Sequence, residues 1–437
     1  MLLASTTMYK RIRLLALVWF CTNSMAQAQT INSPYSRYGL GDIVPSQNIH
    51  TRGMGGVSAA YYDYNTLNFQ NPASYGRMQR TILDLGFELD NRTLRAIDPP
   101  RKFNAYSPTI SYLQFGFPLK KTGGWGMNIG LRPITRVNYK LERPEKLPGV
   151  DSVNTLFEGS GGAYEAHVGT GFTLFKYLSV GVNVGYLFGS KDFSSRRSIV
   201  NDSVFHYMSN HETRSNYGGV VANGGIQYTI PLNKTTFLRL GAHGSLEHNF
   251  SGTRDVIRET YQYSSGTGAP LQIDSVYRES DISGDVIYPA SYGAGLIFEK
   301  GGHWMVGIDY NTTQWSNYRF FGESEPVQDS WTMHVGGQIL PSGKNRERYW
   351  NNVLYRGGFS IGEDYINADN KLPKWSVSLG ASLPMVKPQY TNQFSVINVL
   401  LEYGQRGNKE NLIRENFFRI GVGLSLTDIW FLKRKYD

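Results

Sequence analysis

Val180-Gly-Val-Asn-Val-Gly-Tyr-Leu-Phe188 sets Val180, Val182, Val184, Tyr186 and Phe188 on one side of an extended chain, against Gly181, Asn183 and Gly185 on the other. The same period of two runs through Val377, Leu379, Ala381 and Leu383, opposed by Ser378, Gly380 and Ser382. It returns at Phe418, Ile420, Val422, Leu424 and Leu426, opposed by Arg419, Gly421, Gly423 and Ser425. Such alternation predicts antiparallel strands with one apolar face. A polar face of Gly, Ser, Asn and Arg would pack badly in the core of a sandwich. It suits the inside of a transmembrane barrel, where apolar side chains meet lipid and small polar ones line the lumen. Because lipid offers no hydrogen-bond partner, such a sheet must close. The alternative is a soluble sandwich or propeller.

Spacing supports closure. Short turns are predicted at 120–124, 175–177, 231–235, 299–303, 341–348 and 384–392. They alternate with long polar segments at 90–107, 142–162, 190–214, 252–285, 320–328, 364–373 and 404–414. Short turns on one side and long loops on the other are the habit of outer-membrane barrels, and counting between them gives about fourteen strands. The expected class is therefore all-β, an antiparallel transmembrane barrel with periplasmic termini and extracellular long loops. Tyr139, Tyr164, Trp304, Trp315, Trp331, Trp375, Tyr403 and Trp430 fall near strand ends, as interfacial aromatic girdles would. Pro133 in the third strand and Pro289 near the start of the eighth cannot donate to a ladder, so each predicts a bulge, a kink or a rim position. At Pro133 a kink that opens the wall sideways and a plain rim position are equally open.

The chain has 437 residues with Tyr 29, Phe 22, Trp 8 and Gly 48, a composition that favours strands over helices. Its formal charge of +9 includes Lys10, Arg11 and Arg13. These precede the apolar Leu14–Phe20 and the small-x-small site Ala26-Gln27-Ala28, which together read as a secretory signal over residues 1–28, starting at Met1 or Met8. The one cysteine, Cys21, lies within it, so a processed chain would hold no disulfide and no cysteine metal ligand. The remaining basic residues are scattered, which argues against nucleic acid and for rims that meet anionic head groups.

No catalytic or metal site emerges, and no cofactor is expected. The eight histidines are dispersed and none has a ligand spacing. Glu323/Glu325 and Glu363/Asp364 read as solvated pairs in or beside loops. Gly358-Phe-Ser360-Ile-Gly362 matches the GxSxG elbow, but it lies in strand sequence, where the motif's strained turn into a helix has no place. Asp-Ser-Val recurs at 151–153, 202–204 and 274–276. It resembles an O-glycosylation signal of Bacteroidota exported proteins; a repeated hairpin edge is the simpler reading.

One stretch does not join the strands. Residues 52–75, RGMGGVSAAYYDYNTLNFQNPASY, cluster Gly53, Gly55 and Gly56, then small residues, then Asn71-Pro72-Ala73. Arg52, Gly55, Gly56, Ala59, Asp63 and Asn71-Pro72-Ala73 follow the order R-x-x-GG-x-x-A, an acidic residue, N-P-A, placed just before the first strand. In that order and place they resemble the hatch of the FadL-like transporters of hydrophobic compounds. The resemblance covers nearly the whole processed chain and implies a fourteen-stranded barrel at 79–437 with residues 29–78 as extension and hatch. It also implies passive, hatch-gated uptake of a hydrophobic ligand or lipid, fatty-acid-like, across the outer membrane.

Within that hatch Gly55 and Gly56 would allow close backbone approach, Pro72 would fix a turn, and Asp63, Asn65 and Asn71 would bond lumen groups such as Arg419. Ser33-Pro-Tyr-Ser-Arg-Tyr-Gly39 looks like a feature of Bacteroidota members. That group includes PorV-like barrels that serve a secretion machinery, so the alternative is a non-transporting scaffold in a secretion or assembly complex. The last strand, 419–426, resembles the signal read by barrel-insertion machinery, although it ends on Leu426 rather than an aromatic.

Overall fold

The computed structural model describes residues 33–428, apart from position 65 and the stretches 98–99, 121–122, 147–151, 201–205, 265, 267–269, 342–347, 369 and 386–394. The leader, Trp430, Asp151 of the first Asp-Ser-Val repeat and the whole of the second repeat lie outside them. A two-residue strand, β1 (Asp42–Ile43), precedes the wall. The wall begins with β2 (Thr81–Ala96), β3 (Arg101–Pro118), β4 (Trp125–Lys146), β5 (Ser152–Leu174), β6 (Leu178–Ile199) and β7 (Met208–Pro231). It continues through β8 (Thr236–Ser245), β9 (His248–Tyr263), β10 (Pro270–Tyr288), β11 (Ser291–Lys300) and β12 (Trp304–Thr313). After the short β13 (Arg319–Phe320) come β14 (Ser330–Ile339), β15 (Leu354–Glu363), β16 (Pro373–Pro384), β17 (Val396–Arg406) and β18 (Ile413–Asp428).

Each strand pairs antiparallel with its neighbours, and β18 pairs with β2 from Ile413↔Ala96 to Asp428↔Thr81, so the sheet closes. β8 and β9 form one stave broken at Leu246–Glu247, and β10 and β11 another broken at Pro289–Ala290. Counted as staves, the wall is the expected closed antiparallel barrel of 14 strands.

Facing follows the alternation. Val182, Val184, Tyr186 and Phe188 are exposed on the outer surface, whereas Asn183 is buried inside. Val377 and Leu379 face out while Ser378 and Ser382 are buried. Outer aromatic pairs sit at two heights: Trp125 stacks on Phe172 beside the short turns, and Tyr164 on Phe188 and Tyr310 on Trp331 farther up. Between these rows the outside is an apolar band, the lipid-facing surface of a transmembrane barrel.

Three expectations need correction. Most long polar segments are not loops: residues 142–146, 152–162, 190–199, 208–214, 252–263 and 270–285 are paired strand, extending the staves β4 to β10 far beyond the band. Along 271–281 every residue is exposed, and the other stretches have no lipid on their outer face, so the apolar/polar contrast that marks a strand is lost. Trp315 and Tyr139 are buried inside the barrel rather than in a girdle. Pro289 breaks its stave midway, not near the start, because that stave begins at Pro270.

A lipid-facing charge should be costly. Val184→Arg, near the middle of the band, is expected to destabilise the barrel by about 2–4 kcal/mol. Denaturant unfolding followed by the mobility shift between folded and unfolded barrel would read this; an unshifted midpoint would refute the assigned facing.

Candidate functional site in the lumen

The segment from Ser33 to Met78 lies inside the barrel and runs from the long-hairpin end to the short-turn end. Ser33 N–H donates to Asn138 O (3.3 Å), β1 pairs Asp42 with Arg136 and Ile43 with Thr135, and Val44 N–H donates to Ile134 O (2.9 Å). A helical turn, Ile49–Arg52, is capped by Asn48, whose Oδ1 accepts from Thr51 N–H (2.8 Å). Farther on, Asp309 of β12 accepts from the backbone N–H groups of Ser58 (2.6 Å) and Ala59 (2.7 Å). Asn71 donates to Ala59 O (2.6 Å), Ala242 O (3.2 Å) and Ile226 O (3.3 Å), and its Oδ1 caps the 3-10 turn Pro72–Arg77 at Ala73 N–H (3.1 Å). Ala73 is fully buried.

This close fit depends on wall glycines. A Cβ on Gly171 would lie 2.5 Å from Pro72 O, and one on Gly380 would lie 2.8 Å from Gly53 Cα. Gly181, Gly241, Gly336 and Gly358 meet Pro72, Ala59, Met54 and Gly55 at least as closely. The small lumen-facing residues of the alternating strands are thus the seats of the segment's backbone. Within the segment, Gly55 (φ +75°) and Gly56 (φ +95°) occupy the left-handed region. Gly55 N–H donates to Ser378 Oγ (2.9 Å), and its carbonyl accepts from His334 Nδ1 (2.6 Å).

The charges form one network. Arg52 is buried and donates to Glu88 of β2 and to Glu402 of β17 (2.6 Å). Arg419 of β18 reaches Asp90 (3.1 Å) and Glu402 (3.5 Å). Arg92 pairs with Asp42 (2.9 Å), Asp90 (3.1 Å) and Glu415 (3.3 Å), and Arg406 with Asp42 (2.7 Å), Asp364 (3.1 Å) and Glu415 (3.5 Å). Every guanidinium is shared by at least two carboxylates. Nearby, Arg356 Nη2 donates to His50 Nδ1 (2.9 Å), which leaves His50 Nε2 to carry the proton it gives to Tyr61 Oη.

Above the network an aromatic cluster of Tyr35, Trp315, Tyr318, Phe320 and Tyr365 fills the barrel at the base of the long hairpins. Trp315 and Tyr365 have ring centroids 4.3 Å apart. Between cluster and segment lies a cavity of about 330 Å³, lined by Ser and Thr hydroxyls and by Arg52, Lys374, Arg406 and Arg419.

The wall is not evenly sealed. β3 and β4 share only the pairs from Pro118↔Gly126 to Leu113↔Leu131, although both strands continue well beyond. Just above that point the β4–β5 register shifts between Pro133 and Thr135, leaving Ile134 bulged. Pro133 therefore stands at the lower edge of a gap between β3 and β4, which β1 occupies in part.

Arg52, Gly55, Gly56, Asn71, Pro72 and Ala73 are all in the lumen and in contact with the wall. Asp63 is only half-buried and accepts from Tyr61 Oη (3.2 Å), while Asn65 lies outside the described residues. The expected bond to Arg419 is not made by Asp63 or Asn71; Arg419 is taken by carboxylates of its own wall, and Arg52 joins that cluster through Glu402. Ser360 of the GxSxG match is interior strand, its Oγ 2.8 Å from Ser376 Oγ. Among the described residues no group of acids, histidines and cysteines could hold a metal ion. The sequence reading missed Glu88, Asp90, Arg92, Glu402, Arg406 and Glu415. Their common mark is a charge in a strand at the same parity as the small, lumen-facing residues.

The BamG family profile matches residues 8–437. Among solved structures, the Pseudomonas putida toluene transporter TodX has a TM-score of 0.55 at 16% identity, covering 90% of this chain and 100% of its own. A Pseudomonas aeruginosa FadL homologue scores 0.56 at 12% identity (89% and 100%). The CymD monoaromatic hydrocarbon channel scores 0.52 at 17% identity (90% and 99%). At such identities the likeness is one of fold. No curated protein matches in sequence.

Arg52→Ala would leave the buried Glu88 and Glu402 with only the longer contacts to Arg419 and is expected to cost about 3–5 kcal/mol, measured as a lowered unfolding midpoint with earlier proteolysis near residue 62; wild-type stability would contradict the role given to Arg52. Acid should weaken the upper ion pairs. Burial works against the Asp364 carboxylate, but Arg406 and Lys374 outweigh it and hold it below the ordinary 3.8. Its contribution is then complete above pH 3.8 and lost as pH falls through the lower folded value. Asp364→Asn should be less stable than wild type near neutrality, with the difference shrinking below pH 3.8; a difference constant with pH would refute this.

Proposed function

The chain belongs to the BamG family, and on that premise we propose that it is a closed outer-membrane barrel acting as a non-transporting structural member of an outer-membrane assembly or secretion complex. The observation that carries this reading is the filled lumen. Four guanidiniums and six carboxylates tie the N-terminal segment to β2, β17 and β18, and aromatic residues block the other end. An apolar solute crossing that interior would have to displace buried, mutually paired charges, which is strongly unfavourable. The staves β4 to β10, extended beyond the band, supply a rigid projection of the sort an assembly can grip. In this reading the protein is not an enzyme and needs no cofactor.

A second reading is favoured by the gap above Leu131 and by the fold shared with TodX and CymD. There the segment 29–78 is a hatch, its Arg52–Ala73 part gates the lumen, and a fatty-acid-like hydrophobic compound leaves sideways beside Pro133. One experiment separates the two. Purified barrel is placed in liposomes and uptake of an apolar fluorescent probe is followed, while the protein is also isolated from native membranes in mild detergent. The structural reading expects probe uptake equal to protein-free liposomes and recovery with a partner in fixed ratio. Uptake that depends on the barrel, with the protein recovered alone, would overturn it in favour of the channel.

A further inference from the structure

The gap between β3 and β4 leads somewhere specific. Behind it is a recess of about 220 Å³ that shares Asp42–Pro45, Arg92 and Arg419 with the central cavity. Its two sides differ in chemistry. Around the mouth, Ile43, Phe87, Ile110 and Leu131 are exposed and apolar, Ile110 at 60%. Within, Ser107, Thr109, Glu88, Asp90 and Arg136 present hydroxyls and charges. Such a division fits an amphipathic ligand and not a purely apolar one.

Height matters as well. Pro133 pairs with Tyr164, whose ring stacks on Phe188 in the aromatic row at the upper edge of the lipid-facing band. Arg136 pairs with Gly162, just beyond that row. It therefore stands at the level of lipid head groups.

Arg136 is also uncommitted. Among the described residues its guanidinium makes no ion pair and no hydrogen bond, although it is partly buried in the recess. The carboxylates that share the recess are already engaged: Glu88 by Arg52, Asp90 by Arg92 and Arg419, Asp42 by Arg92 and Arg406. A partly desolvated guanidinium with five unused donors is costly until an anion meets it.

We propose that this recess binds the phosphate-bearing head group of a membrane lipid, which enters sideways between β3 and β4. Arg136 holds the phosphate, and the acyl chains stay outside against Ile110, Leu131 and Ile43. The proposal stands apart from the choice between structural and channel readings, since it needs only the gap and its lining.

The test uses the full barrel, purified in detergent, stripped of lipid and exposed to phosphatidylethanolamine in mixed micelles, with retained lipid counted by native mass spectrometry. Wild type is expected to keep one lipid per barrel. Arg136→Gln removes the charge-assisted bonds and should lower retention about tenfold. Thr109→Trp fills the recess without touching the guanidinium and should also abolish retention; it decides the matter should Arg136→Gln fail to show the mobility of a folded barrel. Retention unchanged in the folded variants, or none in wild type, would overturn the proposal. Displacement by millimolar inorganic phosphate as readily as by added lipid would also overturn it, since the site would then be one for free anions.

Discussion

The Arg52 guanidinium is the point on which the interior turns. It comes from a segment that belongs to no stave, yet it satisfies one carboxylate on the first wall strand and another on the last but one. Arg419 on the closing strand shares both of those carboxylates. Buried charges of this kind add little net stability over a well-packed apolar core, because desolvation offsets much of their attraction. Their effect is one of choice: a barrel in which Arg52 is misplaced leaves two buried carboxylates to share Arg419 alone, at 3.9 and 3.5 Å, and that arrangement is disfavoured.

The rest of the interior follows from the same demand. If the segment is to bring Arg52 to the wall, its backbone must approach the strands more closely than side chains permit, hence glycine at 171, 181, 241, 336, 358 and 380. The backbone groups so enclosed must find partners. Asp309, Asn71, Gln227 and His334 provide them, each from a different part of the structure. Apolar residues face lipid, form the aromatic cluster beneath the hairpins, and pack the segment itself against the wall, as Met54, Val57 and Tyr61 do with Ile297 and Met305.

How much of this could be read from the sequence depended on what each residue faced. Val180–Phe188 and Phe418–Leu426 were legible because one face meets lipid and the other a polar lumen, so the period of two survives intact. It fades in 190–199, where the outer face no longer meets lipid, and in 271–281, where every residue is exposed, and those strands look like loops. Trp315 misleads because a tryptophan near a strand end serves equally in a girdle or in an interior cluster. The segment around Arg52 stood out by its glycines, but its partners did not. Glu88 and Glu402 are single acids in strands, and only the closed sheet shows that they converge on Arg52 from either side of β18. Pro133 marked a disturbance in the wall; that β3 and β4 part company there is a matter of pairing, which no single residue encodes.

The seam has a consequence for how the molecule is made. The strands that meet there, β18 and β2, are the last and the first of the wall, and the segment they enclose is older in synthesis than either. Once the ring is shut, it is held by the aromatic cluster at one end and by its own turn Pro72–Arg77, seated on Gly171 and Gly181, at the other. The sheet must curl around a core already laid down, as a barrel is raised around its own stopper. Closure of the ring and seating of Arg52 are then a single event, and the chain completes its interior only when its final strand arrives.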